Sequence, residues 1–441
     1  MILYSETFDQ ETLTKMSHHD PVVVFYRSFF DLIDWSPFLS CPSKPSQRGR
    51  PANPEIAYIK ALLVKIVEGK KHMTKLRTFL VRHPLLVLEL GFLPVLDPKE
   101  PYGFDIQKTV PSDRWLREKQ RNLNRSLLQE IFFGTVRDLQ KEIPGLGETV
   151  AFDVTHIYAW VKENNPRQYV KDRFCKEQQP AGDPDCKVGV KHSTNQEQPD
   201  GSKKVIKEYL WGYGSGIVSA ITADYGDVVV AEYTQPFNEG DITYYRTLYQ
   251  KTANTLNQFP TNITADAAFD AWYVYETCAL HGGMAAVPLN QHGHPTFERD
   301  ADGIPFCPKK LLMIPTKQFK HTNGYRAQRY QCPLLFPQAT GQTCAHEQFA
   351  KGKGCVKDIN IEKGGIMRVT LDRHHPIYKA IYDQRTSTER INSQAKALGM
   401  ERPQVRRMRS VCNLNTLTYI IINVRALQRA RSINRRILPM N

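Results

Sequence analysis

The spacing of apolar positions changes along the chain, and the change separates a helical first third from a strand-rich remainder. After Asn53–Pro54–Glu55 the apolar residues Ile56, Ile59, Leu63, Ile66 and Val67 recur at a helical period. The residues before them form a start signal: a capping side chain, a proline whose missing N–H costs nothing there, and an acid in the first turn. Gly69 is expected to end this helix, and Met73, Leu76, Phe79 and Leu80 predict a second one that stops near Pro84. The cations around Gly69 (Lys70, Lys71, Lys75, Arg77 and Arg82) leave two readings open, a DNA-reading helical pair or a hairpin with basic solvent faces. Ser112 and Asp113 can cap a longer helix from about Arg114 to Lys141, broken by Pro144 and Gly145.

Past Gly147 the period falls to that of strands. Thr149 to Thr155 alternates, with Val150 and Phe152 on one face and Ala151, Asp153 and Thr155 on the other. Lys162 to Lys204 is rich in Lys, Asn, Gln, Asp and Gly and reads as loop or insertion. Tyr209 to Thr222 and Val228 to Tyr233 flank Asp224–Tyr225–Gly226–Asp227 as a hairpin. A helix near Asp241 to Leu256 precedes a strand at Ile263 to Asp266, a helix from Asp270 to His281 closed by Gly282–Gly283, and a strand at Ala285 to Leu289, which together make a βαβ unit. Helices at about Pro376 to Leu398 and Leu414 to Ala430 follow. The expected class is α/β, with a mostly helical N-terminal region at 1–146 and an α/β region at 147–441. That second region carries a polar insertion at about 162–204, a Cys-containing one at about 290–358 and a basic helix at about 414–436.

Composition narrows the class. At roughly 100–200 residues per domain, 441 residues suggest two to four domains. A hydrophobic share of 41% and an aromatic share of 10% exclude a disordered chain. Apolar runs such as Leu417 to Val424 fall short of the ~20 residues of a membrane span. The N-terminal residues lack the basic start and apolar stretch of a signal peptide, and the nine scattered cysteines do not read as a disulfide framework. A soluble cytoplasmic protein is expected.

Charge adds a partner. The net charge is +14, and residues 401–441 hold nine arginines (Arg402, Arg406, Arg407, Arg409, Arg425, Arg429, Arg431, Arg435 and Arg436) against the single acid Glu401. Guanidinium pairs with phosphate in a two-pronged geometry, so this field suits a polyanion; a solvated basic tail is the plain alternative.

Candidate chemistry concentrates between Tyr382 and Lys396. Tyr382, Arg385, Glu389 and Lys396 recur at steps that stay on one helix face, while Ile391, Ala395 and Leu398 fall on the other and can bury against a sheet. A carboxylate among a phenol, a guanidinium and an ammonium suits a metal-assisted phosphate site. It also suits a solvated face with ion pairs.

The spacing Y-x2-R-x3-E-x6-K resembles the signature around the catalytic glutamate of prokaryotic insertion-sequence transposases of the DDE type. Val150–Ala151–Phe152–Asp153–Val154–Thr155–His156 looks like that family's first core strand, and Ile263–Thr264–Ala265–Asp266 like the strand that ends in its second aspartate. The resemblance covers roughly residues 147–400 and implies an RNase H-like mixed sheet with flanking helices. It implies Asp153, Asp266 and Glu389 as catalytic residues that hold two Mg²⁺ ions, with Mn²⁺ able to substitute. Tyr382, Arg385 and Lys396 would contact DNA. The implied activity is cleavage at the ends of an insertion sequence and transfer of the freed 3′-hydroxyl into target DNA, by a nucleoid-associated homodimer on paired ends. A nuclease of the same fold without strand transfer, or a silent transposase-derived DNA-binding protein, are the rivals.

Several decoys have plain explanations. Asp270 reads as a helix N-cap, Asp241 as another, Asp224 and Asp227 as turn acids, and His156 as a packing residue. Cys307, Cys332, Cys344 and Cys355 lack a paired C-x2-C knuckle, so reduced thiols are favoured over a structural zinc.

Overall fold

The computed structural model describes residues 10–39, 52–197, 203–222, 224–290, 298–300 and 302–437. The chain start, on which the signal-peptide expectation falls, lies outside them. The longer helices are α1 (Gln10–His19), α2 (Pro21–Phe30), α3 (Glu55–Val67), α4 (Met73–Val81), α5 (Asp113–Asn122), α6 (Arg125–Glu142), α7 (Tyr245–Leu256), α8 (Trp272–Leu280), α9 (Lys363–Thr370), α10 (Pro376–Tyr382), α11 (Thr386–Ala397) and α12 (Met408–Ile437). The strands are β1 (Thr149–Tyr158), β2 (Lys187–Glu197), β3 (Lys203–Ala220), β4 (Val228–Pro236), β5 (Asn262–Thr264), β6 (Ala285–Ala286), β7 (Ile314–Lys320), β8 (Arg326–Gln331) and β9 (Val356–Asn360). The protein is mixed α/β. No helix among the described residues is long and apolar enough to cross a membrane.

Two compact units divide the chain: Met1–Phe259 with Arg385–Asn441, and Pro260–Gln384. That division does not coincide with a break at 146/147. In the first unit the long strand β3 is the hub, pairing antiparallel with β1, β2 and β4. The centre of this unit is α12, whose residues from Ser410 to Val424 are nearly all buried. A helix buried all round needs cover on every side. Here α6, β4 and α3 supply it, so Val23, Leu62 and Ile131 share one core with Ile157, Val229, Ile391 and Leu417.

One of the buried polar residues on α12 meets β4 beside a β-bulge. The β3–β4 register shifts at Val218/Ser219, where Val230 is skipped between Ala231 and Val229. Asn423 bonds both backbone groups of Val229, accepting from its N–H at 2.9 Å and donating to its carbonyl at 2.8 Å.

Three local expectations change. The helix expected over Arg114–Lys141 is two, α5 and α6, because Asn124 interrupts it and caps α6 by accepting from Ser126 and Leu127. Asn53 does not cap α3, since its side-chain oxygen accepts the Leu93 N–H at 2.8 Å. The polar stretch 162–204 is only partly loop. It contains β2, which pairs with β3, because antiparallel ladders bond through the backbone and tolerate polar side chains on a solvated face.

In the second unit, β5 and β6 are parallel and α8 crosses between them, the expected βαβ unit. Helix α9 lies tight against α8: a Cβ at Gly364 would sit 2.3 Å from the Trp272 carbonyl oxygen. The Cys-containing segment folds as an antiparallel sheet in the order β7-β8-β9.

Candidate functional site

Each face of β1 has its own partner. Phe152 packs its ring 5.1 Å from Tyr245 of α7 on one side. On the other, Asp153 meets α11: its Oδ2 accepts from Asn392 Nδ2 at 2.9 Å, and its Oδ1 from the Val154 N–H at 2.9 Å. Helix α11 is docked by Ile391 and Ala395, both fully buried, and by a 2.7 Å hydrogen bond between the Ser387 and Ser219 hydroxyls. Arg390 anchors it further on Asp227, with Nη2 2.6 Å from a carboxylate oxygen. The buried face expected for Ile391 and Ala395 is there, and Leu398 is packed against the same core.

Glu389 lies one turn before Asn392 on this helix, exposed, and accepts from Arg385 at 2.5 Å. Asn392, which holds Asp153 and lies three residues after Glu389, is a residue that no sequence signal singled out. The Asn392 Oδ1 atom is buried without a hydrogen-bond partner. Flipping the amide would turn that oxygen toward the Asp153 carboxylate, so the orientation is fixed by charge. The Asp153 carboxylate and the unpartnered amide oxygen are hard oxygen donors of the kind Mg²⁺ takes, while the Glu389 carboxylate is held by Arg385.

Not every member of the expected stripe shares this helix. A 3₁₀ turn at Asp383–Arg385 separates α10 from α11. Tyr382 therefore ends α10, in the second unit, where its ring stacks on Tyr378 at 6.0 Å. Lys396 stays on α11, 3.5 Å from Glu401. His156 is pushed down to about 4 by burial, then by Lys191 and Lys396, and packs on Phe237 at 4.3 Å as a neutral ring.

In the second unit Asp266 lies two residues past the end of β5 and accepts the Ala268 N–H at 2.9 Å, opening a 3₁₀ turn. It holds the strand-end position expected of it. Asp270 is structural, though not as a cap: α8 begins after Ala271 without a side-chain cap, and the Asp270 carboxylate is buried against Arg368. Asp241 likewise opens a 3₁₀ helix whose N-cap is Gly240.

A cleft of about 590 Å³ opens where α3, β1 and α11 end. Lys65, Lys70, Lys71, Lys162 and Arg406 line it, with no carboxylate among its described lining residues. Trp160, 48% exposed, offers its ring there beneath the Arg406 guanidinium at 4.9 Å. Arg402 stacks likewise on Tyr158 at 4.0 Å.

The basic C-terminal stretch is partly structural. Arg409 donates to the carbonyls of Asn122 and Leu123 at the end of α5, and Arg431 pairs with Glu142 at 3.0 Å. Arg435 and Arg436 stay exposed.

Two other clusters hold metal-ligating residue types. Asp97, Glu100 and Asp105 have carboxylate oxygens within 4.8 Å of one another, but Asp105 is already committed to the Lys108 N–H and ammonium. Cys307, Cys332 and Cys355 share a buried cluster in the second unit. Burial, with Cys332 and Cys307 alongside, pushes the Cys355 thiol up to about 12.

No family model matches this chain, and no curated protein matches it either. The functional reading rests on the residues themselves.

Proposed function

We propose that the protein is a DNA transposase of the DDE type, with an RNase H-like catalytic region that cleaves the ends of a mobile element and joins them to target DNA. The observation that carries this is the arrangement on α11. Asn392 grips Asp153 and leaves its own buried oxygen free, and Glu389 sits one turn away. A merely solvated helix face would not clamp a strand carboxylate from the helix.

Asp153, Glu389 and the Asn392 oxygen would hold Mg²⁺, or Mn²⁺ in its place. Such an ion supplies positive charge at the scissile phosphate and lowers the pKa of an attacking water. Asn392 orients Asp153 by donating to one of its oxygens. Arg385 neutralises Glu389 in the free protein and lies where it can also meet a phosphate, while Lys396 offers a second cation two turns on. The resemblance gives Asp266 the third carboxylate role. The cleft around Trp160 suits a strand of nucleic acid, with cations for phosphates and an aromatic face for a base.

The test is cleavage of DNA bearing the ends of the flanking element, in Mg²⁺. Asp153→Ala, Glu389→Ala and Asp266→Ala should each lose cleavage and keep DNA binding, and Asn392→Ala should lower cleavage by about 10–100-fold, as the loss of a ligand-orienting residue does. Wild-type cleavage by the first two variants would sink the reading; wild-type cleavage by Asp266→Ala alone would remove only the third carboxylate. Cut ends without joined products would make the protein a nuclease of this fold. DNA binding without any cleavage by the unaltered chain would make it a silent binding protein.

A further inference from the structure

We propose that Cys307, Cys332, Cys344 and Cys355 bind one structural zinc ion that holds together the β7–β9 segment. Four of the chain's nine cysteines converge there. Cys307, Cys332 and Cys355 are buried with Met313 and Leu334, and Cys344 packs against them. They arrive from separate turns. The Cys307 carbonyl accepts the Lys310 N–H at 2.8 Å, with Lys310 in the left-handed region at φ 59°. Past the end of β8, the Cys332 carbonyl accepts the N–H groups of Leu335 and Phe336 at 3.1 and 3.0 Å. Lys309 reaches across to the Thr343 carbonyl at 2.5 Å and ties the Cys344 loop to the Cys307 turn. At Gly354 a Cβ would lie 2.5 Å from Cys332 Cβ, so only glycine lets the chain pass there and deliver Cys355 beside Cys332.

Packing alone does not explain this convergence. Free cysteines do serve as small apolar residues, yet β7 is exposed along most of its length and β9 buries only Ile359. A small sheet with so little apolar burial needs another source of stability, and thiolate–metal bonds supply it in small domains. The soft, all-sulfur donor set selects zinc over Mg²⁺. Lys309, Lys310, Lys353 and Lys357 lie close in sequence to the cysteines and offset the negative charge of four thiolates around a dication. The sulfur atoms are not grouped within 4.8 Å of one another. Three of the cysteines sit in turns or loops and the fourth just precedes β9, so closing on an ion moves turns rather than strands.

This inference is independent of the transposase reading and is tested without any activity. The full chain, purified without a metal-binding tag, should carry about one zinc per chain bound through four sulfurs at ~2.3 Å by X-ray absorption. Cobalt(II) exchanged into the unaltered protein should show the visible bands of tetrahedral thiolate ligation. Cys332→Ser with Cys355→Ser should reduce zinc to near none, while Cys175→Ser with Cys278→Ser should leave it unchanged. If the double variant does not fold, the cobalt spectrum of the unaltered chain decides. A folded, metal-free protein that takes up no cobalt, or one whose Cys332 and Cys355 form a disulfide as isolated, overturns the proposal.

Discussion

The Asp270 carboxylate accepts from Arg368 Nε and Nη2 at 2.7 and 2.5 Å, from the Tyr275 hydroxyl at 3.0 Å and from the Asn290 N–H at 2.8 Å. Removing one partner of a buried pair leaves the other charge without compensation. Asp270→Ala should therefore destabilise the protein by roughly 3–5 kcal/mol in urea titrations; a change within error of zero would show that the pair does not hold its unit together. From sequence, Asp270 had the right status for the wrong reason. Any Asp before a helix resembles a cap, whereas Arg368 lies 98 residues away and no local pattern points to it. Asn392 escaped for the same reason, its partner Asp153 being 239 residues distant. His156 yields a pH prediction. Its folded pKa of about 4 lies below the ordinary 6.5, so between those values the unfolded chain binds a proton that the folded chain refuses. Stability then falls as pH drops from about 6.5 toward 4, on the order of 3 kcal/mol for this residue. His156→Gln should flatten that part of the stability–pH curve relative to the unaltered protein; identical slopes would show that the ring is not held neutral.

At the scale of elements, periodicity read well wherever one face is buried. The apolar set Ile56, Ile59, Leu63 and Ile66 marked α3, and Ile391 with Ala395 marked the docked face of α11. It failed where pairing is carried by backbone, as at polar β2, and where a 3₁₀ turn divides a continuous pattern, as between α10 and α11. Charge was the least legible. Nine arginines near the C-terminus looked like one field, but Arg409 and Arg431 hold α5 and α6. Under the proposed function, the cations offered to DNA are Lys71 and Lys162 in the cleft, beside Arg402 and Arg406, with Arg435 and Arg436 exposed on α12. Lys71→Gln with Lys162→Gln should reduce the log–log salt slope of DNA binding by about 0.9 for each phosphate no longer neutralised, with folding unchanged. Arg431→Gln should leave that slope alone and lower the melting temperature. An unchanged slope in the lysine variant would remove the cleft from the DNA path.

For the whole molecule, the decisive feature is that the helical N-terminal region and the strands of the first unit share one core. Helix α6 contributes Leu128, Ile131, Phe132, Val136 and Leu139 to it, all buried. At about 1.5–3 kcal/mol for each such side chain, α6 alone supplies roughly 8–15 kcal/mol of burial. That is as large as the ~5–15 kcal/mol net stability of a typical domain. Deleting residues 1–146 also uncovers the side of α12 that α3 and α6 protect, where Leu417, Ile420 and Ile421 are buried. A fragment of residues 147–441 should accordingly fail to fold, although sequence texture makes it look like a complete catalytic region. Expression of that fragment should give aggregated protein, or a soluble form without near-ultraviolet circular dichroism and without a cooperative thermal transition. The full chain should show both signals. A fragment that melts cooperatively would mean that the N-terminal helices form a domain of their own, and that the apolar face of α12 finds other cover.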